Sequence, residues 1–429
     1  MRVRAVAAYI RDLDPQLPRP VVRLIAADLA NSLGNGIVMP FTIIYLHNVR
    51  GFALGTAGLV FATLGAVGLV SGLLAGRAVD LLGARTTLIA SLALSAIGYG
   101  AFPLIREPWQ AFGLAAIAGA GNGAFAPSHS SLLAALTSRE QRSTAYALQR
   151  VTDNLGFGLG GLIGGLIATT AVPASFTLLF LLDAGTFVAF IGMLAFVPAP
   201  ALARQSDQSL RGGYAAVVRD RAYMSLIALT ALIVAAAYAQ LSALLPPFAK
   251  DDAAVSEAGI GVIFLVNTLF IVIAQLPIAK LLEGRRRMQG MALAAAAFAA
   301  AWLIVLAGGV WFDHSAAVVV FATAVVVFGL GECLHGAIQN PLIVDLAPPA
   351  LLGRYMAVRS ISWQLGFMLG PAAGGFVLAH SPRGLWVAAA SACLAAGAAS
   401  LLLERHLPGE ALVTPVRPRP SRLATRLSG

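Results

Sequence analysis

Long apolar runs almost free of charge recur along this chain, and they leave few folds open. Residues 37–46, 52–76 and 385–403 hold no Lys, Arg, Asp or Glu. As a helix, a run of about 20 apolar residues crosses a bilayer core of about 30 Å. Of the 429 residues 59% are hydrophobic and 11% charged, and the mean hydropathy is +0.82. An ordinary soluble domain carries about 25% charged residues, so this chain could not cover a water-exposed surface. In lipid the backbone must satisfy its own hydrogen bonds, which a helix does segment by segment. The expected fold is therefore an all-α polytopic membrane protein.

About twelve spans can be read, near 21–46, 54–77, 87–105, 109–136, 144–169, 175–198, 224–249, 259–281, 289–311, 316–345, 355–379 and 384–403. The net charge of +10 does not point to nucleic acid, because the basic residues sit in short clusters between apolar runs. One set of loops collects Arg77 and Arg85, Arg139, Arg142 and Arg150, Lys280 and Arg285, and Arg354 and Arg359, while the other set has only Arg50, Arg106, Lys250 and Arg383. Under the positive-inside rule both termini are then expected in the cytoplasm, and no lysine or arginine is expected deep in a span.

The expected organisation is a cytoplasmic tail over 1–20, a six-helix half over 21–198, a polar cytoplasmic linker over 199–223, a second half over 224–404 and a disordered basic tail over 405–429. The apolar stretch 5–10 is too short for a cleavable signal peptide and runs straight into Arg11 and Asp12. Cys333 and Cys393 both fall inside apolar runs, so neither reads as a disulfide or metal ligand. The halves repeat: residues 155–165 and 365–375 are identical at seven of eleven positions, at an offset of 210, which also pairs Gly119 and Gly121 with Gly329 and Gly331. Matching spans at half the chain length imply a parallel internal repeat.

The loop after the second span reads Gly76-Arg-Ala-Val-Asp80-Leu-Leu-Gly83-Ala-Arg85. It resembles the signature loop between helices 2 and 3 of the major facilitator superfamily, Gly-x-x-x-Asp-Arg-x-Gly-Arg-Arg/Lys, at Gly76, Asp80, Gly83 and Arg85. Leu81 and Ala84 replace two of its basic residues. The resemblance covers about residues 21–404 and implies two six-helix halves that alternate access. Asp80 would then belong to a gate on the cytoplasmic side. Gly160, Gly164 and Gly165 in span 5, with Gly370, Pro371 and Gly374 in span 11, resemble the antiporter motif of the drug:proton branch, although Gly161 stands where its proline is expected. The bland alternative for these positions is close helix packing. The branch's span-4 arginine is replaced by Ala115.

Carboxylates within spans are functional candidates. Glu332, His335 and Gln339 share one face of span 10 by their spacing. A carboxyl group in lipid can exchange a proton, which a nearby imidazole can share or relay, so Glu332 with His335 is the first proton-coupling candidate. Asp28, on a polar stripe with Asn31, Ser32 and Asn35, is the second. Asp153 is expected to pair with Arg150 within its own helix, and Asp183 to bond between helices at the periphery. Asn31, Asn35, Asn122, Tyr238, Gln240 and Gln339 are candidates for lining a substrate cavity.

No Gly-x-x-x-x-Gly-Lys-Ser/Thr loop is present, so the expected energy source is an ion or solute gradient. The chain reads as a transporter rather than an enzyme, with no cofactor and no metal. Its expected partners are a small-molecule substrate, protons and the lipid bilayer, without nucleic acid and as a monomer, in a bacterial-type inner membrane. The leading expectation is proton-coupled export of lipophilic neutral or cationic compounds. A facilitator or symporter of a neutral metabolite, such as a sugar, stays open, as does a non-transporting membrane protein.

Overall fold

The structure is a computed structural model that describes residues 17–199, 213–348 and 351–414. Twelve long helices make up the bundle. The first six are α1 Arg19–Val49, α2 Leu54–Leu82, α3 Ala84–Gly100, α4 Pro108–Leu136, α5 Arg139–Ile167 and α6 Ala174–Leu194. The second six are α7 Arg221–Ala243, α8 Glu257–Leu281, α9 Arg287–Trp311, α10 His314–Leu346, α11 Leu352–His380 and α12 Pro382–Leu403. Ten of these are long and apolar enough to cross a membrane. The other two are α4 and α5, at 29 residues each. α5 carries charge in its early turns, and α4 is interrupted by Asn122, Ser128 and His129.

Local sequence sets the helix ends. Gly83 takes φ +87°, a left-handed turn that a side chain would strain, and so separates α2 from α3. A reciprocal cap between Ser138 and Gln141 starts α5. Ser256 and Ser381 cap α8 and α12 through the backbone N–H groups of Gly259 and Gly384.

Within the first half α1 packs on α5 and α6, α2 on α4, and α3 on α4 and α6; α9 packs on α10 and α12, and α8 on α10, in the second. The halves meet along α2–α11 and α5–α8. Small residues set both seams and the neighbouring contacts. A Cβ on Gly160 would lie 2.1 Å from the Leu33 carbonyl oxygen, and one on Gly164 2.5 Å from that of Ile37, so both hold α5 against α1. Gly165 does the same at 2.4 Å from Glu257 O on α8, and Gly58 at 2.3 Å from Pro371 O on α11. A Cβ on Gly370 would lie 2.7 Å from the Ala239 Cβ, and one on Gly374 2.3 Å from a Leu244 methyl, along the α7 side. Backbones can approach this closely only where side chains are missing.

The hydrogen bonds and ion pair that join the halves gather at one face among the described residues, the face of the α1–α2, α5–α6 and α7–α8 connections. Asn48 donates to Asp251 at 2.7 Å, His47 Nε2 lies 3.8 Å from Asp251, and the Thr170 N–H donates to Glu257 at 2.9 Å. Lys250 pairs with the same Glu257 at 2.8 Å. At the opposite, arginine-rich face Asp80 is exposed and makes no hydrogen bond or salt bridge among the described residues. Among the described residues, inter-half side-chain bonds thus fasten one face and not the other.

The linker expected over 199–223 lies largely outside the described residues, apart from a short helix Gly213–Arg219 and the start of α7. The expected disordered tail needs correction at its start. Residues 405–414 pack onto the α8–α9 connection, where Val413 forms an antiparallel bridge to Arg286 and the Arg287 N–H bonds Leu412 O at 2.9 Å. The Arg287 guanidinium, buried there, pairs with Asp345, and Arg286 pairs with Glu404. The backbone bonds, with the Arg287 guanidinium donating to Ala411 O at 3.4 Å, hold the segment down despite its polar sequence.

Candidate functional site

Two cavities lie between the helices, end to end along α11. The first is lined by Asn35, Phe61, Tyr99, Phe102, Asn122, Asp183 and Phe367, among others, and measures about 230 Å³. Its walls are mainly aromatic and aliphatic. Asn122 donates to Tyr99 Oη at 3.0 Å and accepts from Ser95 at 3.2 Å, which fixes the amide at the wall. Asp183 is buried, and neither of its carboxyl oxygens has a hydrogen-bond partner. The expectation of a peripheral, helix-bonded Asp183 is therefore corrected, because α6 turns this residue toward Gly34 and the cavity.

The second cavity, about 280 Å³, is polar. Glu332, His335 and Gln339 line it from α10, Tyr238 from α7, Arg150 and Asn154 from α5, and Arg359 and Trp363 from α11. Glu332 accepts a 3.2 Å hydrogen bond from Asn267 of α8, whose amide also donates to Val325 O at 3.1 Å. The Tyr238 hydroxyl lies 3.0 Å from His335 Nδ1, and Gln339 donates to Thr230 at 2.8 Å. Tyr238 closes a π-helical stretch, Val234–Tyr238, of the kind that often marks functional positions. Trp363, which lines this cavity, stacks on Phe367, which lines the first, with ring centroids 6.2 Å apart.

Several expectations change here. Arg150 and Arg359 are not loop charges: they stand 11 residues into α5 and 7 into α11, and both reach the Glu332 cavity. Asp153 does not pair with Arg150, because it accepts from Ser32 of α1 at 2.9 Å while Arg150 turns the other way, toward Gly336. Gln240 is spent on packing, donating to Ala235 O at 2.9 Å and Gly370 O at 3.3 Å, and does not line either cavity. Asp28 lies in the other half from Glu332, buried with its carboxylate 2.9 Å from His129 Nε2, and also off both cavities. Asn31 is buried on the same helix with its amide oxygen unpartnered. The motif expected as a loop is mostly helical: Gly76 lies within α2 with open space around it, and Arg85 lies in the first turn of α3, half-buried.

The sequence held two unused signals. The Ser138–Gln141 cap places the start of α5 early enough to carry Arg150 three turns inside. The 210-residue repeat offset sets Asn122 in register with Glu332, so one wall position serves each cavity, as an amide in one half and an acid in the other.

The sequence model of the Major Facilitator Superfamily matches twice, over residues 24–254 and 227–428. The chain belongs to the major facilitator superfamily. It is similar to the multidrug resistance protein MdtH of Aeromonas salmonicida, at 25% identity over 354 residues, covering 80% of this chain and 83% of that protein. It is also similar to the MFS-type transporter YhjO of Bacillus subtilis, at 24% identity over 388 residues, covering 89% and 92%. Among solved structures, a peptide transporter POT in complex with sulfate matches with a TM-score of 0.75 at 16% identity, covering 92% of this chain and 96% of that one. The nucleoside transporter NupG matches at 0.71 and 14%, covering 90% and 99%. At such identities the structural likeness establishes the superfamily fold alone. As a superfamily member the chain is a multi-pass membrane transporter and not an enzyme.

Proposed function

We propose that this transporter exports small lipophilic compounds, neutral or cationic, in exchange for protons by alternating access. The observation that carries the reading is Glu332: a carboxylate midway along α10, held by Asn267, in a cavity between the halves. A carboxyl group inside a membrane protein is expensive and marks ion pathways. Glu332 takes a proton from one side; on release to the other, the carboxylate that remains faces Arg150 and Arg359. The aromatic cavity beside it suits the apolar body of a solute, and the unpartnered Asp183 there suits a positive group. The MdtH relatives are named multidrug resistance proteins, which supports export of drug-like compounds.

Charge bias supports an orientation with the arginine-rich face and both termini in the cytoplasm of a bacterial-type inner membrane, which makes the described state open inward. Asp80, solvated in this state, then becomes a gate partner when the inner face closes. The chain works as a monomer on this reading, since each chain holds both cavities.

The test is transport of a fluorescent dye in proteoliposomes with an imposed pH gradient. Glu332→Gln keeps the shape and hydrogen bonding of the side chain but cannot exchange a proton. Gradient-driven accumulation should fall to background, while dye binding and dye–dye exchange continue. Undiminished accumulation moves the proton site to another carboxylate. A second reading, facilitated passage of a neutral metabolite, draws on the amides Asn35 and Asn122 in the aromatic cavity. It is separated by dye accumulation in inverted against right-side-out vesicles, which a facilitator would not support in either.

A further inference from the structure

Charge in the polar cavity does not balance. Its charged lining residues are Arg150, Arg359 and Glu332, so one positive charge stays uncompensated even when Glu332 is ionised. No carboxylate lies within 4.0 Å of either guanidinium among the described residues, although Arg286 and Arg287 elsewhere both have acidic partners. Arg150 is exposed at the cavity and Arg359 is half-buried, so the cost of an unneutralised charge inside a membrane protein falls chiefly on Arg359, while Arg150 stays accessible to a solute.

The hydrogen-bonding groups are unbalanced in the same sense. Arg359 Nε and Trp363 Nε1, both donors, are buried without partners. His335 Nε2 is also unpartnered, its other nitrogen being taken up by Tyr238, and it donates or accepts according to the tautomer, so it counts on neither side. Against them stands one buried orphan acceptor of the cavity lining, Asn340 Oδ1. Both guanidinium groups are positioned. The Arg359 guanidinium carbon lies 5.7 Å over the Trp363 ring, and Arg150 Nη2 lies 3.2 Å from where a Cβ on Gly336 would sit. A missing side chain at 336 thus leaves the room that the Arg150 fork occupies.

We infer that Arg150 and Arg359 form a receptor for an anionic group, a carboxylate or phosphate carried by the transported compound, with the compound's apolar part directed past Trp363 and Phe367 into the aromatic cavity. Guanidinium forks match the planar oxygens of such groups. The stacked Trp363 and Phe367 connect the anion's seat to an apolar wall. The solutes then extend to anionic or amphoteric amphiphiles, a class beyond the neutral and cationic compounds. The inference rests on the polar cavity as a solute site, but not on proton coupling. A like charge on Glu332 opposes the anion, so neutralising Glu332 strengthens binding.

The experiment is calorimetric titration of the purified full-length protein in nanodiscs, without a gradient. The probes are 2-naphthoate, the neutral 2-naphthylmethanol and inorganic phosphate. Naphthoate should bind tighter than the alcohol, and Arg150→Gln or Arg359→Gln should weaken it by roughly tenfold or more. Arg→Lys at either site, which keeps the charge and guards against a folding defect, should retain part of that affinity. Glu332→Gln should bind naphthoate at least as tightly as the unaltered protein. Equal affinity for naphthoate and the alcohol overturns the inference, as does unchanged naphthoate affinity in both glutamine variants. Phosphate binding as tightly as naphthoate would assign the site to a free inorganic anion and likewise overturn it. These results are independent of the pH-gradient assay, so loss of transport coupling and loss of anion binding are distinguishable.

Discussion

Glu332 and Asp28 are both carboxylates inside the bundle, yet their neighbours set them apart. Glu332 opens on a cavity and is held by a single amide donor, Asn267. Asp28 is closed in against His129, whose other ring nitrogen meets Gln149 at 3.3 Å and whose ring stacks on Phe125. The Asp28–His129 contact is a buried ion pair whose facing atoms make no well-directed hydrogen bond, and such a pair holds the local packing only while both partners are present. Asp28→Asn should therefore lower the thermal unfolding temperature in detergent, by a loss of about 1–3 kcal/mol, and leave dye accumulation per folded molecule nearly unchanged. A stable variant that cannot accumulate dye would make Asp28 a proton site instead. Asp183 differs from both, with no partner at either oxygen. Asp183→Asn should reduce export of a cationic dye and spare a neutral one, as measured in paired vesicle assays.

At the scale of helices, the small residues of α5 decide how the halves meet. One face of α5 presents Gly160 and Gly164 to α1, while Gly165 presents a bare backbone to α8 of the other half. A methyl group at 165 would meet the Glu257 carbonyl oxygen at 2.4 Å and the Gly261 Cα at 2.9 Å, both backbone atoms that cannot swing aside. Gly165→Ala should part α5 from α8 and weaken the closed face, since overpacking of this order costs roughly 1–3 kcal/mol. The expected readout is faster labelling of a cysteine introduced at Thr170, whose N–H bonds Glu257 across the same seam. Gly185 has open space around its Cβ position, so Gly185→Ala is the control and should label at the original rate.

For the whole molecule, inter-half bonds gather at one face and not at the other among the described residues, which on the proposed alternating-access reading is one of two states. Asn48 and Asp251 hold the closed face with a 2.7 Å bond. Cysteines at both positions, oxidised, should lock that face. Transport should then stop, ligand should still bind from the arginine-rich face, and a reducing agent should restore turnover. Continued transport by the cross-linked protein would show that this face need not open. The same cross-link asks whether Asp80 pairs only in the opposite state, since in the locked protein it should stay accessible to solvent.

Twelve spans, their order, the internal repeat and the superfamily were legible in the sequence, because lipid forces each hydrophobic crossing to close its own hydrogen bonds along the chain. The signature loop was legible for a related reason: a turn between two crossings needs residues such as Gly83 whatever surrounds it. Arg150 and Arg359 were not legible as cavity residues, since hydropathy blurs where a helix begins and a long guanidinium side chain hides which way it reaches. The direction in which Asp153 and Asp183 point depends on which neighbouring helix offers Ser32 or leaves a gap, and only three-dimensional packing settles that. Local physics in the chain thus specified the crossings, while the meeting of charged and polar groups from α5, α8, α10 and α11 around Glu332 required the tertiary structure, because those residues are far apart in sequence and their helices approach one another only through the bundle's packing.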